Sequence, residues 1–391
     1  MREAVIVSTA RTPIGKAYRG AFNNIEVPLL GAQALRETLR RAGLEGPEVE
    51  EVVLGSALTQ GSAGVNLARH TVLAAGLPET VAAATVDRQC ASGLDAIAIA
   101  AQRIVSGGVE VAVAGGLDSI SLVQNDRWND FRYRTPGVPE DYYLSMIETA
   151  ERVAARYGVT RDAQDEYALQ SQARTANAQQ RGLLDEEIVP VETVQIVLDR
   201  ETGQRSEMHR RVERDECNRP STTAEALAAL LPVQGPGHTV TAGNASQLSD
   251  GAAACVLLSA EEARRRSLQP LGAFRGLAVV GVPAAEMGIG PLYAIPRLLE
   301  RTGLTREQIG LWEINEAFAA QLLPCRDQLG LPPDRLNVLG GAIALGHPYG
   351  MSGARMVGTL LREGRRRGIR YGVASLCVGG GQGAAGLFEI F

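Results

Sequence analysis

The feature that most constrains this chain is that it repeats itself at a distance of 260 residues. Residues 39–44 read LRRAGL and residues 299–304 read LERTGL, and each closes a helical pattern followed by an acidic turn and an apolar, strand-like run. The pair Ser92–Gly93 recurs at the same spacing as Ser352–Gly353. Each SG pair opens a helix that leads to a strand ending in Gly-rich sequence, AVAGG at 112–116 and CVGGG at 377–381. One offset shared by separated landmarks favours a duplicated α/β module. The competing reading is two unrelated βαβ units with common helix endings.

The periodicity around these landmarks is of the same kind. Short apolar or β-branched runs at 4–7, 52–54, 84–86, 109–113, 277–280 and 372–376 predict strands. Helical patterns at 29–42, 91–105, 294–302 and 352–366 fall between them. Strands alternating with helices predict βαβ units around a buried, parallel-rich sheet. Residues 119–245 break the pattern. They hold a polar, aromatic stretch, QNDRWNDFRYRTPGVPEDYY, whose Pro and Gly oppose any long regular element. Two amphipathic helices near 147–157 and 161–181 follow, then a charged segment up to Arg214. This region reads as an insertion that covers the halves. The domain division expected is therefore 1–118 with 246–270, an inserted loop or lid domain at 119–245, and 271–391.

Several classes of function are disfavoured. The net charge of −5 opposes a general nucleic-acid binder, although a local basic patch for a phosphorylated ligand is compatible with it. No uncharged apolar stretch of about 18 residues occurs, so no membrane span is expected. The start, MREAVIVSTARTPIG, has neither a secretory apolar run nor an Arg/Ser-rich amphipathic leader. Five widely spaced Cys, without a CxxC pair, read as reduced thiols, and a cytoplasmic protein is expected. The Cys and His spacings match no zinc pattern, so no metal is expected.

Four residues stand where chemistry could occur. Cys90, in TVDRQCASGLDA, lies at a strand-to-helix junction, where the helix N-terminus and nearby N–H groups would favour the thiolate and lower its pKa from roughly 8.5. A buried structural Cys is the plain alternative. His347 lies in the Gly-rich turn GGAIALGHPYGMSG, five residues before its SG pair, as Cys90 lies two before its own. Packing two copies of a module side by side would put an imidazole beside a thiol, which activates a sulfur nucleophile. Cys377, in ASLCVGGGQG, ends a strand and opens onto bare backbone that could form an oxyanion hole; a small strand-end residue is the alternative. Asn315, in WEINEAFA, could cap a helix or hold a water against an acyl oxygen.

Taken together, VDRQCASGLDA, TAGNASQLSDGAAA, MGIGPLYAIP, INEAFA, GGAIALGHPYGMSGAR and CVGGGQG resemble the thiolases, that is, acetyl-CoA acetyltransferases and 3-ketoacyl-CoA thiolases. The motifs are in family order from about residue 10 to the C-terminus. The resemblance implies a layered α/β/α/β/α fold of two duplicated halves, and a ping-pong enzyme that cleaves 3-ketoacyl-CoA or runs the reverse Claisen condensation. It implies Cys90 as the acylated nucleophile, His347 as its base, and Cys377 as the acid and base at the α-carbon. Asn315, through a water, with His347 would form one oxyanion hole, and the N–H groups of Cys90 and Gly379 the other. Met146, Arg219 and Ser246 match positions lining the CoA channel. CoA and acyl-CoA enter as substrates with no tightly bound cofactor, and a homodimer or homotetramer is implied, as is a place in fatty-acid metabolism such as β-oxidation.

The chemistry suits these residues independently. Removing a weakly acidic thioester α-proton needs both a base, worth roughly 10²–10⁴-fold, and an oxyanion donor, worth roughly 10²–10³-fold. The sequence also departs from the family pattern. Asp87 replaces an expected Asn near Cys90, where it would raise the thiol's pKa or pair with Arg88 or another basic residue. Ile147 and Glu148 alter a loop the family uses for acyl and pantetheine contacts. A decarboxylating ketoacyl synthase is the rival enzyme, opposed by the second Cys at 377, and an inactive CoA-binding scaffold is the rival of another class.

Overall fold

Among the described residues twelve strands run β1 Ala4–Arg11, β2 Gly15–Lys16, β3 Glu51–Gly55, β4 Ala82–Val86, β5 Val111–Ser119, β6 Val191–Leu198, β7 Arg205–Val212, β8 Ser249–Ser259, β9 Gly272–Gly281, β10 Leu311–Ile314, β11 Tyr371–Val378 and β12 Gln382–Ile390. They come from a computed structural model that describes residues 2–129, 134–199 and 201–391. Residues 130–133 of the polar, aromatic stretch and Arg200 of the charged segment lie outside the described residues.

The strand order β4-β3-β5-β8-β1-β9-β12-β11-β10 makes the duplication visible. In the first half β3 runs parallel to β5, and β5 and β8 then β8 and β1 run antiparallel. In the second half β10 runs parallel to β11, and β11 and β12 then β12 and β9 run antiparallel. The halves meet through Val5↔Ala273 and Ile6↔Gly272 of β1 and β9.

The repeated sequence has a repeated shape. Gly43 and Gly303 end their helices in the left-handed conformation, at φ 65° and 68°, which spares a Cβ penalty there. Each is followed by a short 3₁₀ turn closed by a capping box, Glu45 with Glu48 and Thr305 with Gln308. The two helices that carry the SG pairs, Ser92–Val105 and Tyr349–Arg366, lie back to back; the second opens three residues before its pair, whereas the sequence pattern starts it at the SG itself. Their glycines permit the contact. A Cβ on Gly93 would collide with Gly350 O, and one on Gly353 would come to 2.5 Å from Leu94 N. Leu94, Ile97, Met356, Val357 and Leu360 fill the core between them. The outer helices Val27–Ala42 and Gly290–Thr302 complete the layers.

The expectation of a parallel-rich sheet is corrected. Antiparallel pairings predominate, because β8 and β12 each return beside the parallel strand of their half. Both are rich in Ala and Gly, SDGAAACVLLS and QGAAGLFEI, which are poor strand formers by propensity. Burial on both faces, rather than local preference, makes them strands. The charged segment also forms regular structure, the hairpin β6–β7. Residues in 119–245 add the helices Met146–Tyr157 and Arg161–Gln180. Buried Arg11 of β1 ties this region down, reaching Glu187 at 2.8 Å and Asp215 at 2.7 and 2.9 Å. Paired on both sides, that guanidinium avoids the cost of a lone buried charge.

Candidate active site

Cys90 sits on a 3₁₀ turn, Gln89–Ala91, wedged between the end of β4 and the helix that starts at Ser92. Gln89 has φ 47°, an unfavourable conformation for a side chain larger than Gly. Ser92 holds the turn closed, its Oγ accepting from Arg88 N (2.8 Å) and donating to Gln89 O (2.6 Å). Around the half-buried Cys90 sulfur, the N–H groups of Gly379 and of Cys90 itself favour the thiolate.

One expectation fails here. The thiol is not acidified: burial pushes it up to about 12, and the charges of Asp118 and Asp87 push the same way against the two N–H groups. The turn places sulfur against the apolar core, and desolvation of the thiolate outweighs the backbone dipoles. Asp87 turns its carboxylate onto Gln89 N (2.6 Å). Arg88 does not pair with it, but reaches Asp95 at 3.0 Å and Gln382 at 3.1 Å.

His347 is buried in the turn before the second SG helix. Its Nδ1 lies 2.6 Å from Ser352 Oγ, and that hydroxyl donates to Pro348 O at 2.9 Å. Having given its proton away, the hydroxyl must accept, so Nδ1 carries the ring's hydrogen and Nε2 carries the lone pair. Nε2 faces the amide of Asn315 at 3.2 Å. Burial, then the charge of Arg355, lowers the imidazole to about 3, so it rests neutral with Nε2 unprotonated. Asn315 follows β10, held by Asn315 N to Ser375 O (2.9 Å). It is no helix cap, since the next helix, Ala319–Leu329, is preceded by Phe318. Its Oδ1 is buried with no protein partner among the described residues.

Cys377 is buried on β11, close enough to Cys90 to sense its charge. Burial drives its thiol well above the ordinary range. The turn into β12 needs glycine at Gly380 and Gly381, with φ 82° and 90°. Gly379 is a matter of access instead, because an added Cβ would meet only Gln89, at 3.5 Å.

The expected residues thus fall into two groups, Cys90 with Gly379 and Cys377, and Asn315 with His347. The turns join where the 347–350 segment abuts Gly93, and Tyr349, whose ring lies 5.2 Å from that of His347, senses the charge of Cys90. The three CoA-channel candidates sit further out. Ser246 is bonded through its N–H to Ala317 O at 2.9 Å. Exposed Arg219 reaches Gln247 at 3.4 Å, and Gln247 O accepts from His347 N. Met146 is exposed at the start of its helix. The two neighbouring departures have local explanations. Glu148 closes a capping box with Ser145, and Ile147 packs on the apolar cluster that contains Cys377, Met287 and Phe318.

Two site carboxylates escaped the sequence reading. Buried Asp118 accepts from Ser56 Oγ (2.7 Å), Ala57 N (3.0 Å), Leu58 N (3.2 Å) and Gly350 N (2.6 Å), locking the first half to the His347 turn. Glu316 accepts from Tyr167, Ser171, Asn337 and Ile343 N, fixing Asn315's neighbour to the Arg161–Gln180 helix. The usable signal was position: one ends β5, and the other adjoins a candidate in INEAFA.

Among the described residues no group of three or more His, Cys, Asp or Glu could hold a metal ion, and no helix is long and apolar enough to cross a membrane. Two thiols, an imidazole and backbone N–H groups are the kind of equipment that acyl-transfer enzymes use. Comparison with known proteins narrows the class. The family model of the thiolase N-terminal domain matches residues 4–261, and that of the thiolase C-terminal domain matches 268–390. The chain is 46% identical to a 3-ketoacyl-CoA thiolase of Bacillus subtilis, covering 100% of both, and 44% identical to the human peroxisomal 3-ketoacyl-CoA thiolase, covering 99% of this chain and 91% of the relative. The crystal structure of the Bacillus anthracis acetyl-CoA acetyltransferase superposes with a TM-score of 0.89 at 40% identity, covering 100% of this chain and 99% of the other. That of the human mitochondrial 3-ketoacyl-CoA thiolase gives 0.89 at 35%, with the same coverage. The chain belongs to the thiolase family.

Proposed function

We propose that the chain moves an acyl group between CoA and Cys90, cleaving 3-ketoacyl-CoA by thiolysis or condensing two acetyl-CoA in reverse. The observation that carries this reading is the strained turn that sets Cys90 where its own N–H and that of Gly379 favour negative charge on the sulfur. With its pKa raised, Cys90 rests as a thiol, so attack is coupled to transfer of its proton to the neutral Nε2 of His347. The sulfur adds to the acyl carbon, and the oxyanion that forms takes up the two N–H groups. The carbon–carbon bond then breaks, and the enolate oxygen is held by His347 and the Asn315 water site. Cys377 gives its proton to the enolate carbon, releasing acetyl-CoA. Incoming CoA gives its thiol proton to the Cys377 thiolate and takes the acyl group from Cys90, whose sulfur regains the proton held by His347. Condensation is the same sequence reversed.

Met146, Arg219 and Ser246 are proposed to line the CoA channel, Arg219 by its exposed cation. The division into 1–118 with 246–270, 119–245 and 271–391 is proposed likewise. A role in fatty-acid β-oxidation fits the thiolytic direction. Five free thiols support work in a reducing cytoplasm. A homodimer or homotetramer is supported by the edge strand β4. Against it, Val65 is fully exposed, and Val65 and Asn66 are both held at φ 49°. Strain around an exposed apolar side chain suits a partner's surface. The test is mass spectrometry after mixing with acetyl-CoA. An acetyl adduct on the Cys90 peptide is expected, and Cys90→Ala should lose at least about 10⁴-fold in turnover while retaining CoA binding. An adduct-free Cys90 in an active enzyme would overturn the reading.

A further inference from the structure

Gln321 stands in the first turn of the Ala319–Leu329 helix, fully buried, with its amide against Cys377. Its Oε1 accepts from the Cys377 sulfur at 3.8 Å, while Nε2 has no partner among the described residues. A buried amide with an unused donor is an exception to the rule that interior polar groups are satisfied. Its stem lies against Gly288, where a Cβ would come to 2.5 Å from Gln321 Cβ, so glycine leaves the side chain its place.

Among the described residues, the N–H of Cys377 itself is the one donor that favours this thiolate, which burial and the neighbouring sulfurs of Cys90 and Cys325 oppose. Resting on the reading above, Cys377 must nevertheless exist in both forms. It loses its proton to the enolate carbon in thiolysis, and as thiolate takes one from the methyl carbon of acetyl-CoA in condensation. A thiol has a hydrogen to give to Oε1; a thiolate has none, and repels that oxygen. Turning the terminal amide half a revolution exchanges Oε1 for Nε2 and offers the thiolate an N–H. We propose that Gln321 is the positioning residue of the second thiol, an amide that accepts from Cys377 when it is protonated and donates to it when it is ionised.

The experiment separates the two thiols. Burst formation of the acetyl adduct on Cys90 reads the first, and deuterium wash-in at C2 of acetyl-CoA reads the second. Gln321→Leu should slow wash-in by roughly 10²-fold, the effect of losing one donor to an anion. Adduct formation should stay within about threefold, and the pH limb of wash-in should move to higher pH. Gln321→Glu, of nearly the same shape, keeps an acceptor, lacks the donor and should move the limb further upward. Equal loss in both readouts, or an unmoved limb in either variant, overturns the proposal. If Gln321→Leu fails to fold, the limb of Gln321→Glu decides alone. A wild-type enzyme without an adduct on Cys90 would instead fail the functional reading itself.

Discussion

The two turns that precede the SG helices come from the same place in a repeated module, yet their chemistry differs. At the offset of 260, His347 corresponds to Asp87 and Cys90 to Gly350. The serines keep one job, since Ser92 and Ser352 each hold the turn before their helix. What differs is what each turn presents. The first offers a half-buried sulfur on a strained 3₁₀ turn; the second offers a buried imidazole whose tautomer its serine fixes. Duplication thus supplied a pair of platforms, and divergence of a few turn residues supplied a thiol on one and an imidazole on the other.

That contrast can be broken most severely at the base. His347→Gln should reduce acylation of Cys90 by roughly 10³-fold, within the range for losing a positioned base. Ser352→Ala, which leaves the ring but frees its tautomer, should cost roughly 10–100-fold. Pre-steady-state acylation rates check both, and equal losses would mean that Ser352 does more than hold the ring. The contrast is sharpened by pH. A Cys90 thiol raised to about 12 is almost wholly protonated at neutrality. Its alkylation by iodoacetamide should therefore rise close to tenfold per pH unit between about pH 7 and 10, without a plateau. A rate flat across that window would mean a standing thiolate–imidazolium pair, and so a different resting state from the neutral one derived above.

Where sequence reasoning succeeded and failed follows the same division. The turns were legible because they carry punctuation, Gly at 43 and 303, SG pairs and the CVGGG run. Cys90, His347, Cys377, Asn315 and Gly379 were therefore singled out from the sequence. The returning strands β8 and β12 were missed, since Ala- and Gly-rich sequence becomes strand only when sheets and helices bury it. The acidity of Cys90 was misjudged because a helix N-terminus can be read from sequence, whereas desolvation depends on which apolar residues from the other half fold over the sulfur. Asp118 and Glu316 were missed for a like reason. A carboxylate becomes a latch only through donors gathered from distant positions, Ser56 and Gly350 for one, Tyr167 and Asn337 for the other.

The smallest expected effect tests whether the platforms are truly equivalent. Gly93 and Gly353 each lack a Cβ where the other helix's backbone passes. Gly93→Ala and Gly353→Ala should each destabilise the protein by about 1–3 kcal/mol, because a methyl pressed against backbone can be relieved only by moving a helix. Gly43→Ala is the control, since a Cβ there meets nothing within 4 Å and only the left-handed φ of 65° is strained, at about 1 kcal/mol. Denaturant midpoints at constant slope would rank the three. Comparable losses at Gly93 and Gly353, both larger than at Gly43, are expected of two helices in mutual contact. A neutral Gly353→Ala beside a damaging Gly93→Ala would show that one helix yields to the other, and that the halves share an ancestry of sequence without sharing the load of the interface.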